Sequence, residues 1–96
     1  MEENKKGIKR TYDIFRYNVI HFYRGNLFIG AFLLTECIAT IEYEEMVTHN
    51  IFVNIKLDNC NVHFICDKFQ VLSNISDVTP IFEVSIKNEK DGEMTW

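Results

Sequence analysis

The chain predicts a mainly β fold, a small antiparallel barrel or sandwich of five or six strands with room for one short helix. Three observations carry this reading. β-branched and aromatic residues dominate from Tyr17 onward, turn signals recur about every ten positions, and 96 residues contain a single proline. The length suits one hydrophobic core and not two. With 47% hydrophobic residues, including eight Phe and four Tyr, the chain has enough apolar surface to offset the entropy of ordering it.

The opening segment MEENKKGIKR has no apolar periodicity, so residues 1–10 read as a flexible arm. A single β-rich domain is expected over 11–88 and a frayed tail over 89–96. Residues 11–16, TYDIFR, suit either a helical turn or an entry strand. Next comes Gly25-Asn26, a pair suited to a primed two-residue hairpin turn, between YNVIHFYR and LFIGAFLL. A regular register from that turn places Arg24 opposite Leu27, Tyr23 opposite Phe28, Phe22 opposite Ile29, His21 opposite Gly30 and Ile20 opposite Ala31. Alternation then gives one face with Tyr17, Val19, His21, Tyr23, Phe28, Phe32 and Leu34, and another with Ile20, Phe22, Leu27, Ile29, Ala31 and Leu33. Both faces are apolar, so the hairpin is either covered twice or lends one face to a partner.

ECIATIEYEE alternates more cleanly, with Cys37, Ala39, Ile41 and Tyr43 on one side. A half-exposed strand is the preferred reading; a helix from Thr35 to about Val47 competes, because Glu44, Glu45 and Met46 are good helix formers. After THN, the runs IFVNIKL and NVHFICDKF make a second hairpin around Asp58-Asn59-Cys60. SNISDVTP reads as a loop, and IFEVSIK as the last strand.

A net charge of −4 and a pI near 5.3 disfavour a protein that binds by neutralising phosphates. Three cysteines and no apolar leader after the first methionine suit a reducing cytoplasm, with all three thiols unpaired. The most apolar window, LFIGAFLLTECIATI, contains Glu36 and falls short of the roughly 20 residues a spanning helix needs, so it reads as core and not membrane.

Cys60, His63 and Cys66 are ligand types that zinc accepts. On one extended strand, however, Cys60 and Cys66 lie about 20 Å apart and His63 points the other way, so no metal or other cofactor is expected. No phosphate loop, nucleophile elbow or paired-carboxylate signature appears, and no catalytic residue is assigned. Binding is the expected activity. Tyr23, Arg24 and Phe28 form an aromatic and basic hairpin tip, the residue types that enrich interface hot spots. Glu42, Glu44 and Glu45 form the densest acidic cluster, suited to a basic partner surface.

These features predict a non-enzymatic protein-binding module, either a homodimer or a complex with a larger protein. An inhibitor of a larger host protein, or an assembly subunit, fits such a small acidic domain, as does a phage or mobile-element origin. The alternative is a nucleic-acid-binding barrel that stacks bases on the aromatic hairpin.

Overall fold

A computed structural model describes residues 8–86. The described chain forms eight strands: β1 (Arg10–Phe15), β2 (Val19–Arg24), β3 (Leu27–Leu33), β4 (Ile38–Glu45), β5 (Ile51–Lys56), β6 (Asn61–Cys66), β7 (Lys68–Leu72) and β8 (Pro80–Ser85). They build two four-stranded antiparallel sheets, ordered β1-β4-β5-β6 and β3-β2-β7-β8. Among the described residues there is no helix and no strand pairing between the sheets, so the barrel does not close. The expected arm and tail lie almost wholly outside the described residues.

Eight strands replace the expected five or six for two reasons. TYDIFR is a strand, not a helical turn, and pairs with β4 from Arg10↔Tyr43 to Phe15↔Ile38. NVHFICDKF, read above as one strand, breaks at Asp67 into β6 and β7, which belong to different sheets. A corner of this kind leaves no gap in the apolar pattern: Cys66 and Phe69 on either side of it are both fully buried.

The contested segment over 35–47 resolves as strand β4, with Ala39 and Ile41 buried as its alternation requires. Strand wins over helix propensity because both of its edges are hydrogen-bonded, to β1 and to β5.

The sheets face each other across one core of Ile14, Ile20, Phe22, Leu34, Ile41, Val53, Ile55, Phe69 and Val71. Aromatic pairs join them at both flanks. Tyr12 of β1 stacks on Phe82 of β8 with ring centroids 3.9 Å apart, and Phe22 of β2 stacks on Phe64 of β6 at the same distance. Thus β1 lies over β8 on one flank, and β6 lies over β2 and β3 on the other.

Polar pins fix the corners. Asn18, 7% exposed, accepts a hydrogen bond at Oδ1 from the Phe15 N–H at 2.8 Å and donates through Nδ2 to the Ser73 carbonyl at 3.0 Å. Its neighbour Tyr17 adopts a φ of 75°, unusual for an aromatic residue, and donates its N–H to the Leu34 carbonyl at 2.7 Å. The β1–β2 corner is therefore tied to the ends of β3 and β7.

Candidate functional site

The hairpin of β2 and β3 follows the expected register at its tip and then departs from it. Gly25 has a φ of 59°, as the primed turn requires, and Arg24↔Leu27 and Tyr23↔Phe28 pair as predicted. A bulge at Ile29 then shifts the pairing by one residue, giving Phe22↔Gly30, His21↔Ala31, Ile20↔Phe32 and Val19↔Leu33. The consequence is a change of face for half of β3. Phe32 and Leu34 move to the core side with Ile20 and Phe22, while Ala31 and Leu33 join His21 and Tyr23 outside. The insertion gives Leu34 full burial, and it leaves Phe28 beside Tyr23 on the outer face.

That outer face carries an aromatic cluster. The Phe28 ring meets His21 edge-on at 5.3 Å and Tyr23 at 5.7 Å, and Lys68 Nζ from β7 sits 4.6 Å from the Tyr23 ring centroid. Phe28 stays 51% exposed, and its neighbours Leu27, Ile29 and Leu33 are 65%, 41% and 37% exposed. Arg24 is exposed at the tip. The tip itself is held by Asp67, whose Oδ2 accepts from the Gly25 N–H at 2.9 Å and whose Oδ1 accepts from Asn50 Nδ2 at 3.2 Å. The sequence groups Tyr23, Arg24 and Phe28 at this tip but gives no sign that Lys68 and Asp67 join them. Both lie more than forty positions from Tyr23 in sequence, and only the β2–β7 pairing brings them here.

The acidic cluster is elsewhere. Glu42 and Glu44 project from the outer face of the other sheet, opposite Asn54 and Phe52 of β5, so they do not share a surface with Tyr23 and Phe28. Partial burial pushes the Glu42 carboxyl up. The hydrogen bond and charge of Lys56, 3.4 Å away, outweigh this with help from Asn54 and Lys9, and hold it below its ordinary value. Glu45 lies 4.0 Å from His49. With Arg10, Tyr43, Phe82 and Glu83, Glu44 and Glu45 border an open cleft of about 420 Å³ between the sheets. The described lining of this cleft contains no histidine or cysteine, so it offers no thiol or imidazole for nucleophilic chemistry.

Cys60 is exposed in the β5–β6 turn, Cys66 is buried in the core, and His63 lies on the outer face opposite Asn54. Among the described residues no group of three His, Cys, Asp or Glu side chains could hold a metal ion. Burial pushes the Cys66 thiol up to about 12, which keeps it protonated and unreactive. Cys37 is exposed and accepts a hydrogen bond from Arg16 Nη2 at 3.2 Å. No described helix is long and apolar enough to cross a membrane.

No protein-family model matches the chain, and neither a curated protein nor a solved structure matches it.

Proposed function

We propose that this chain is a non-enzymatic protein-binding module, built as a two-layer β-sandwich, whose contact surface is the outer face and edge of the β2–β3 hairpin. The observation that carries the reading is the cluster of Leu27, Phe28, Ile29 and Leu33, all more than a third exposed within one strand. Scattered surface hydrophobics need no explanation, but the run Leu27-Phe28-Ile29 with Arg24 and Lys68 beside it has the anatomy of an interface centre and its polar rim. An assembly subunit or an inhibitor of a larger protein would use such a surface in the cytoplasm without cofactor or catalysis.

The test is site-specific photocross-linking in the native host from position 28, with position 40 on the opposite sheet as control. Protein adducts from position 28 and none from position 40 are expected. Equal adducts from both positions, or none from 28, overturn the reading.

A second reading rests on Lys68 over the Tyr23 ring beside exposed Arg24, a set that could stack and neutralise single-stranded nucleic acid. Nucleic-acid adducts at position 28, with affinity falling steeply as salt rises, would select it over the first. The net charge of −4 favours the protein partner.

A further inference from the structure

We infer that the partner of the β3 edge is a second copy of this chain, joined strand to strand in an antiparallel two-fold pair. The inference rests on the protein-binding reading above and names its partner.

Four strands lie at sheet edges, and they are not equally guarded. On one flank β1 carries Arg10 and Asp13, and β8 carries Pro80 and Glu83, the residue types that discourage edge pairing. On the other flank β3 reads LFIGAFL and β6 reads NVHFIC, with no Lys, Arg, Asp or Glu in either. A quarter of the whole chain is charged, so thirteen edge residues without one mark a surface kept free of charge. Among the described residues no strand pairs with the open side of β3. The bulge at Ile29 is its one guard, and it bends only the hairpin end; Gly30–Leu33 keeps a regular register with β2.

A two-fold axis places each residue type against itself or a near neighbour, and a strand without charges meets its own copy without repulsion. The antiparallel sense also brings the Arg24 end of one hairpin to the Glu36 end of the other strand, so opposite charges meet at both rims of an uncharged seam. Pairing would extend the β3-β2-β7-β8 sheet into one of eight strands, within the usual range.

The area sets the strength. Leu27, Phe28, Ile29 and Leu33 together offer at most about 400 Å² per protomer, taking about 200 Å² for a large side chain in full exposure. The pair then buries at most about 800 Å² of apolar side chain, the low end of interface sizes, so a weak, reversible association is expected.

Sedimentation velocity of the full chain across about 1 μM to 1 mM tests this. A reversible monomer–dimer transition is expected for the wild type. Ala31→Lys, which sets two ammonium groups against each other across the seam, should remain monomeric throughout. Thr11→Lys, on the guarded flank, should dimerise as the wild type does. Circular dichroism of each variant verifies the fold, and Leu27→Lys at the exposed hairpin end decides the case if Ala31→Lys unfolds. A wild type that stays monomeric, or folded β3 variants that dimerise undiminished, overturns the inference. In that event protein cross-links from position 28 to a different polypeptide would leave the broader binding reading standing.

Discussion

Replacing Asn18 by alanine should destabilise the domain more than any other single change to a side-chain amide in the described structure. Asn18 is nearly buried and spends both ends of its amide on backbone groups far apart in sequence, the Phe15 N–H at the end of β1 and the Ser73 carbonyl just after β7. Each such bond contributes about 1 kcal/mol net, and removal also strands its partner in a part-buried site, at about 1 kcal/mol or more each where water cannot reach. Partial water access lowers the sum, so a loss of roughly 2–3 kcal/mol is expected. For a domain of this size that corresponds to a fall in Tm of about 10–20 °C. Urea denaturation followed by circular dichroism, with thermal melts alongside, measures both. Asn61→Ala, at an exposed edge position, is the control and should stay within about 0.5 kcal/mol of wild type. If Asn18→Ala also fell within that range at unchanged m-value, the corner pin would carry no weight and the account of the β1–β2 corner would fail.

Two further outcomes follow from titrating groups. Cys66 has its folded thiol pushed from about 9 up to about 12, so the stability tied to keeping it neutral is fully present below about pH 9 and is lost as pH rises toward 12. The urea midpoint should fall over that window more steeply in wild type than in Cys66→Val, and a thiol reagent at mild pH should modify Cys37 and Cys60 well before Cys66; simultaneous labelling of all three would refute the burial argument. Glu42 is held below the ordinary carboxylate value chiefly by Lys56, so its contribution is present above that ordinary value and is lost as pH falls through the folded one. In an NMR titration Lys56→Met should raise the Glu42 midpoint, and an unmoved midpoint would show that the contact at 3.4 Å does not persist in solution.

The amino-acid sequence by itself determined the β class, the hairpin at Gly25-Asn26 and the burial of Ala39 and Ile41, because each depends on periodicity or turn chemistry within a few residues. It also picked out Tyr23, Arg24 and Phe28 as a cluster, since the turn alone sets Tyr23 opposite Phe28. Three decisions belonged to the tertiary structure. The bulge at Ile29 exchanged the faces of Ala31–Leu34; in an all-apolar strand one register looks as good as the next until the core has to be filled. The corner at Asp67 turned one apolar run into two strands of different sheets, and its carboxylate gains a meaning only when Gly25 and Asn50 arrive beside it. The third was the separation of Glu42 and Glu44 from the aromatic hairpin. Alternation tells which residues share a strand face, but which sheet a strand joins depends on pairings between residues distant in sequence, and those are settled by the packing of the whole core.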